Sequence, residues 1–430
     1  MNYRLNLSNV IDRIYIFVSI LILFKFFYLI SDSGSILLKG NTDGRYDMLI
    51  TFSIVYLLMQ AMLNHGKLYK GRYYKIAISF IVFILIECLY TMLRYGQIIT
   101  TFAPTKFYYF AIFVYFAYAH VFKKLYNFRI FVRTLAICTI IMCILLLYQR
   151  IYYINTGNLF LYTDAIRANT LIYEIRNSGL RFSAGSGIVV FSTIFFTAYA
   201  LYKKEKNTVW NYLYMSTIAL GYLTILFVYQ SRVQIIITFV VLAWNVINLD
   251  IKNIRLKYFY IIAILTVIIV AISANGVILN QIIGVSVSEG SYWARQGAIE
   301  YYLKVFANNI FLGLGLVVSN SSELNTLVHG LSGYYYYSDV GMIGNLAEFG
   351  IFILFWFCLY IKRMLKTRKI LNGCEKNIAT NMILMISVFT FSTLSVFNNG
   401  RFLMIPLSMA IMNYFEYNKQ LENKVENFRS

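Results

Sequence analysis

The chain has 430 residues, of which 60% are hydrophobic and 13% charged, and its formal net charge is +20. Soluble domains carry about 25% charged residues, so this composition and the mean hydropathy of +0.65 exclude an ordinary soluble protein and predict a multi-span membrane protein. The positive charge indicates basic cytoplasmic loops rather than nucleic-acid binding. The five cysteines lack metal-ligand spacing, so neither a disulfide framework nor a zinc site is predicted.

Apolar runs that are long enough to cross a bilayer as helices recur along the whole chain. We predict an all-α, polytopic protein, with residues 1–430 forming one membrane domain. About twelve spans are expected, at 14–30, 47–63, 74–93, 107–122, 130–150, 185–202, 210–229, 233–249, 258–280, 340–361, 378–397 and 402–415. With a cytoplasmic N-terminus, 25 of the 38 Lys and Arg residues fall in cytoplasmic segments and 12 in external ones. This bias predicts that both termini are cytoplasmic.

The predicted external segments are rich in arginine. Nine of their 12 basic residues are Arg, against nine of 25 in the cytoplasmic segments. Positive charge alone sets topology, but the planar guanidinium also binds phosphate through two parallel hydrogen bonds. The external arginines therefore predict an anionic substrate, such as a phosphate or pyrophosphate. For any single arginine, pairing with an external acid or a lipid headgroup is the alternative.

Three arginines stand next to short or glycine-rich external segments. The first long external loop, 151–184, carries Arg181 just before the glycines that begin the sixth span. We assign those glycines to close helix packing and Arg181 to a polar site. Arg232 follows a short turn, and Arg401 follows Asn398-Asn399-Gly400. Both side chains are expected to reach a shared central cavity.

The second long external loop, 281–339, is the longest stretch of the chain without a predicted apolar span. Apolar residues at helical spacing over 291–305 predict an interfacial helix, with Ser291 as its N-cap and Arg295 on a more polar side. A polar, Tyr-rich stretch follows and ends at Ser338-Asp339, which is expected to cap the next span. We expect the chemistry in this loop.

The sequence lacks the short motifs of several enzyme classes. It contains no Walker A, no HExxH and no GxSxG, and its external acids show no DxD spacing. No cofactor and no metal site are therefore predicted, and any leaving group must arrive with the substrate. Glu87 lies inside an apolar span and is a functional candidate, with a hydrogen bond to a neighbouring helix as the alternative role.

Two stretches carry a resemblance to a known family. One is the Ser231-Arg232 pair, which opens a span. The other begins WARQGAIEYYLKVFANNIFLGLGL and continues through His329 to YSDVGMIGNLAEFGI. Together with the layout of spans, they resemble the O-antigen polymerase and ligase group of polysaccharide-assembly membrane proteins. The family often has Asn-Pro before its Gly-x-Gly, where this chain has Asn309-Ile310, and often has His-Asn, where this chain has His329-Gly330.

The resemblance implies metal-independent glycosyl transfer at the external face of the bacterial cytoplasmic membrane. The donor would be a polyprenyl-diphosphate-linked oligosaccharide, and a second lipid-linked repeat unit would accept it. His329 is a candidate for the base that activates the acceptor hydroxyl, with Asp339 as the other candidate, and Arg295 is the second catalytic candidate. The candidates for substrate binding are Arg181, Arg232, Arg401 and Asp339.

Two other functions share parts of this pattern. A ligase that moves finished glycan onto another acceptor would show the same features. A flippase for lipid-linked oligosaccharide also has a similar number of spans. Transporters, however, often show repeated halves and polar residues deep in the membrane. This chain instead has long external segments that carry arginine, which favours an enzyme. The expected partners are membrane lipids, a flippase and a regulator of polysaccharide chain length.

Overall fold

The structure is a computed structural model. It describes residues 7–26, 45–159, 173–176, 179–182, 185–203, 205, 207–249, 290–392 and 395–427. These parts of the chain are mainly helical, and one antiparallel hairpin joins β1 (Tyr173–Arg176) to β2 (Gly179–Phe182), with Tyr173 opposite Phe182. The hairpin lies within the first predicted external loop.

The α-helices of the described residues are numbered here in chain order. They are α1 (Leu7–Leu23), α2 (Arg45–Leu63), α3 (Tyr74–Tyr95), α4 (Ile99–Lys106), α5 (Val114–Val121), α6 (Leu125–Thr156), α7 (Ser186–Tyr202), α8 (Thr208–Thr224), α9 (Arg232–Ile247), α10 (Gly290–Asn308), α11 (Ser322–His329), α12 (Gly341–Phe349), α13 (Ile351–Ile370), α14 (Gly373–Phe391) and α15 (Met404–Asn427). A 3-10 helix, Phe107–Phe113, precedes α5; a π-helical turn, Ile225–Tyr229, extends α8; and a short 3-10 helix, Tyr337–Asp339, precedes α12.

Four helices are long and apolar enough to cross a membrane. They are α2, α3, α6 and α8 with its π-helical extension, Thr208–Tyr229. The apolar helices α7 and α9 are shorter. The helical membrane architecture is thus supported, whereas the count of about twelve spans stays a prediction. The predicted span at 258–280 lies outside the described residues.

Several predicted spans have different bounds in the structure. The first helix covers Leu7–Leu23 instead of 14–30, and the predicted span at 107–122 consists of a 3-10 helix followed by α5. The predicted span at 340–361 is two helices, because Gly350 adopts a φ of +65° between α12 and α13. This left-handed conformation favours glycine.

A distant segment of the chain packs against the break at Gly350. Residues 310–315 run beside the end of α12, where Leu314 N donates to Ala347 O at 2.9 Å and Gly315 N donates to Glu348 O at 2.8 Å. Ile351 N donates to Ile310 O at 2.7 Å. These bonds occupy backbone groups that a continuous helix would satisfy internally, and they hold the loop after α10 against α12.

One end of the helix bundle is held by two buried carboxylates. Asp12 accepts hydrogen bonds from Tyr56, Gln60 and Asn127 and pairs with Lys124 at 2.9 Å. At the same end, Glu416 in α15 pairs with Arg363 in α13 at 2.6 Å and with Arg72 in the loop before α3 at 3.5 Å. This end contains several of the segments that the sequence predicts to be cytoplasmic.

Candidate functional site

A polar cavity lies where the loops before α5, after α10 and before α15 meet. Its volume is about 410 Å³, within the range of about 300–1,000 Å³ that is usual for small-molecule sites. The lining comes from five stretches, which are 104–109, 317–319, 328–338, 345–348 and 395–399. The polar side chains on its wall include those of Lys106, His329, Asn345, Glu348, Asn398 and Asn399. The aromatic ones are those of Tyr108, Tyr109, Tyr336, Tyr337 and Phe397.

His329 is the last residue of α11 and lines this cavity. Its Nδ1 lies 2.7 Å from the carbonyl oxygen of Tyr335, and its ring meets Tyr336 edge-on at 4.9 Å. A carbonyl can only accept, so Nδ1 carries the hydrogen. In the neutral ring, Nε2 then holds a lone pair. The contact therefore fixes the tautomer in which His329 can take a proton through Nε2.

The cavity also contains an acid that the sequence analysis overlooked. Glu348, in α12, pairs with Lys106 and accepts a hydrogen bond from Tyr109 at 3.2 Å. The side chains of Glu348 and Lys106 are only 4% and 16% exposed. The signal for Glu348 was present, since an acid within an apolar span is a functional candidate. The same ground selected Glu87 and applied equally to Glu348, which lies within the predicted span at 340–361.

Arg401 lies directly behind the wall of the cavity. The stretch 395–399 lines the cavity on one side, while Gly400 and Arg401 face a small space shared with Arg45. Nη1 of Arg401 donates to Ser395 O at 3.0 Å, and its guanidinium lies 5.8 Å from the ring centre of Phe389. Burial lowers the pKa of Arg401 to about 10, and nearby Asp339 and Tyr46 oppose this shift, whereas Arg181 adds to it. At neutral pH Arg401 is a partly buried cation.

Two further predicted arginines flank the turn between α8 and α9. Arg181, in β2, donates through Nε to Tyr229 O at 2.9 Å and is close enough to Arg401 to act on its charge. Arg232 begins α9 directly after that turn. The glycines of the sixth predicted span pack closely, as expected, because a Cβ at Gly187 would lie 2.3 Å from Gly400 O. The α8–α9 turn, β2 and the loop before α15 are thus neighbours.

Arg295 lies apart from the cavity, and Asp339 does not cap a helix. Arg295 lies in α10, whose buried face of Ala298, Tyr302 and Val305 follows the predicted spacing. Its own side chain is exposed and is not part of the cavity wall. The expected helix cap at Ser338-Asp339 is wrong, because Val340 precedes α12 and no side chain caps it. Ser338 donates to Asp339 at 3.2 Å instead.

Glu87 lies in α3 close to Glu348 but makes a different set of contacts. It is fully buried, and among the described residues neither of its carboxylate oxygens has a hydrogen-bond partner. The predicted alternative, a structural hydrogen bond from Glu87 to a neighbouring helix, is therefore absent from this part of the chain. Its backbone carbonyl accepts from Thr91 Oγ1 at 2.8 Å, and Thr91 Oγ1 in turn accepts from Leu316 N.

Comparison with known proteins gives no assignment: no family model matches the chain, and no curated protein is significantly similar to it. The site must therefore be interpreted from its own groups. In the described parts of the chain, no three His, Cys, Asp or Glu side chains lie together as metal ligands would. The cavity combines a histidine with a free ring nitrogen, a buried ion pair, amides and aromatic rings. Such groups suit proton transfer to or from a polar, hydroxyl-rich ligand.

Proposed function

We propose that this protein polymerises lipid-linked oligosaccharide repeat units at the external face of the bacterial cytoplasmic membrane. In this proposal the chain crosses the membrane about twelve times, with both termini in the cytoplasm. The donor and the acceptor are both polyprenyl-diphosphate-linked oligosaccharides. A flippase delivers them, and a chain-length regulator acts with the polymerase.

One observation carries the proposal: the loop 395–401 has the polar cavity with His329 on one side and the partly buried cation of Arg401 on the other. A glycosyl transfer from a diphosphate carrier needs both a base for the acceptor hydroxyl and a cation for the leaving diphosphate. The aromatic and amide side chains of the cavity suit a sugar, which presents apolar ring faces and hydroxyl groups. The enrichment of arginine in the predicted external segments supports the same reaction.

The reaction in this proposal is a single displacement at a sugar carbon. An acceptor hydroxyl forms a bond to C1 of the donor sugar while the bond from C1 to the diphosphate oxygen breaks. Nε2 of His329 takes the hydroxyl proton, and the polyprenyl diphosphate leaves with the bonding electron pair. Arg401, with Arg181 beside it, offsets the negative charge on that leaving group. Exposed Arg295 has no part in this step.

Purified protein in liposomes should convert a single lipid-linked repeat unit into a ladder of longer glycans. We expect the ladder to form equally well with excess EDTA, because the leaving diphosphate is stabilised by arginine instead of a metal ion. Gel separation of the glycans measures the result. A ligase would give product only when a different acceptor is added, and a flippase would move the repeat unit between leaflets without lengthening it; either result contradicts the proposal.

Arg401→Lys should lower the rate of polymer formation by about 10²-fold, the usual effect of misplacing a catalytic site by about 1 Å. Lysine keeps the positive charge but loses the planar guanidinium that donates to Ser395 O and fixes the loop 395–401. Arg94→Lys is the matched control, because Arg94 bonds to Asn309 at 2.8 Å outside the cavity wall. Initial rates in the liposome assay measure both variants. Equal rates for the two would remove Arg401 from the reaction.

A further inference from the structure

A second cavity lies between α13 and α14, away from the site just described. Its volume is about 620 Å³, and its wall is mainly apolar, with Phe357, Leu365 and Phe391 among its residues. Phe391 is 64% exposed and Leu365 is 40% exposed, so the cavity is an open groove. We call it the α13–α14 groove.

Three lysines of α13 line this groove. Lys362, Lys366 and Lys369 recur at intervals of four and three residues, which places them on one face of the helix. All three are exposed, and within the described residues no acid forms an ion pair with any of them. The row therefore presents uncompensated positive charge beside an apolar surface.

The two arginines of α13 point elsewhere and show that the lysine row is a distinct feature. Arg363 pairs with Glu416 at 2.6 Å, and Arg368 donates to Thr380 at 2.7 Å. The acid nearest to the groove along α14 is Glu375, which interacts with Lys203 and Lys419. The basic residues of α13 thus divide into inward arginines that hold the fold and outward lysines that border the groove.

The groove changes from apolar to basic along α13. Phe357 lies at its apolar end, and the lysine row begins about 7.5 Å farther along the helix, at about 1.5 Å per residue. Lys369 lies about 18 Å from Phe357 on the same scale. The lysines lie at the end of α13 that also carries Arg363 and its partner Glu416, whereas Phe391 lies at the other end of the groove.

We propose that the α13–α14 groove binds an anionic phospholipid from the leaflet on the lysine side. An acyl chain lies along the apolar wall, and the phosphate meets the lysine row. Basic side chains next to apolar surface at the cytoplasmic face attract anionic headgroups, and lysine stems cover apolar surface while their ammonium groups reach the headgroup region. The apolar wall beside the lysine row selects a whole anionic lipid over a free phosphate.

The test is lipid retention by the full-length protein, measured by native mass spectrometry after exchange into detergent with added lipid. Wild-type protein should retain phosphatidylglycerol about tenfold better than phosphatidylcholine. The triple variant K362Q/K366Q/K369Q should lose this preference. The matched triple variant K67Q/K70Q/K75Q removes equal charge from exposed lysines outside the groove and should keep it. Equal retention by the two triple variants, or no headgroup preference in wild type, would overturn the proposal.

A second variant tests the acyl-chain part of the groove without changing charge. Ser387, in α14, lines the groove and is partly buried. Ser387→Phe should reduce retention of both lipids severalfold by filling the space. Glycerol phosphate, which has the headgroup charge without acyl chains, should not displace bound phosphatidylglycerol from wild type. Displacement by glycerol phosphate would overturn the proposal. The proposal would also fail if the wild-type protein were a dimer, and if Ser387→Phe separated this dimer without changing lipid retention.

Discussion

Replacing His329 with asparagine is expected to slow polymer formation by about 10²- to 10⁴-fold, the usual contribution of a positioned general base. The amide of asparagine can donate to the Tyr335 carbonyl much as Nδ1 of His329 does at 2.7 Å, so the loop keeps its hydrogen bond. Asparagine has no basic nitrogen to replace Nε2. Initial rates in liposomes, together with retention of the donor lipid, separate a chemical defect from a binding defect.

His65→Asn is the matched control for this variant. His65 is exposed at the turn after α2 and has a φ of +51°, a conformation that asparagine tolerates better than most residues. This control should polymerise at the wild-type rate. If His329→Asn stays within about threefold of wild type, less than any typical general base contributes, His329 is not the base. Loss of donor binding in His329→Asn would likewise assign it a binding role.

The helix in the second predicted external segment could be predicted from the spacing of its apolar residues, because it depends on local contacts. The apolar positions over 291–305 gave a helix, and α10 covers Gly290–Asn308 with Ala298 and Tyr302 buried. The predicted N-cap is wrong, because Ser291 is the second residue of this helix. A helix with one buried face can be recognised from its period alone, because residues three and four apart share a face.

The break in the predicted span at 340–361 was not predictable in the same way. It depends on residues 310–315, which are distant in sequence and reach the end of α12 only in the folded chain. A Cβ at Gly350 would lie 2.1 Å from Phe311 O, so the glycine is needed for this close approach. The sequence shows a glycine at position 350, but it does not show that the backbone of Phe311 packs against it.

The candidate site was predicted in its parts but not in its assembly. Position in the predicted external segments selected Arg181 and Arg401, and the structure places them close enough to influence each other. The same argument selected Arg295, whose exposed side chain lies outside the cavity wall. The pair Lys106–Glu348 was missed, because its members are 242 residues apart and only tertiary packing brings them together.

Glu348→Gln should destabilise the protein by about 3–5 kcal/mol, the usual cost of removing one partner from a buried ion pair. It leaves Lys106, which is 16% exposed, as an uncompensated buried charge, and it also weakens the bond from Tyr109. Because Lys106, Tyr109 and Glu348 all line the cavity, polymer formation should fall as well. Thermal unfolding in detergent and initial rates in liposomes measure the two effects.

Glu87→Gln makes the same chemical change close to Glu348 and should leave stability within about 1 kcal/mol of wild type or raise it. The amide replaces a buried carboxyl whose oxygens have no hydrogen-bond partner in the described structure, so no bond is lost.

The double variant Lys106→Met with Glu348→Met should recover part of the stability lost in Glu348→Gln, since a buried apolar pair leaves no unpaired charge. Activity should not recover, because both methionines would replace polar side chains of the cavity wall. Equal unfolding temperatures for Glu348→Gln and Glu87→Gln would show that the Lys106 pair contributes nothing to the fold.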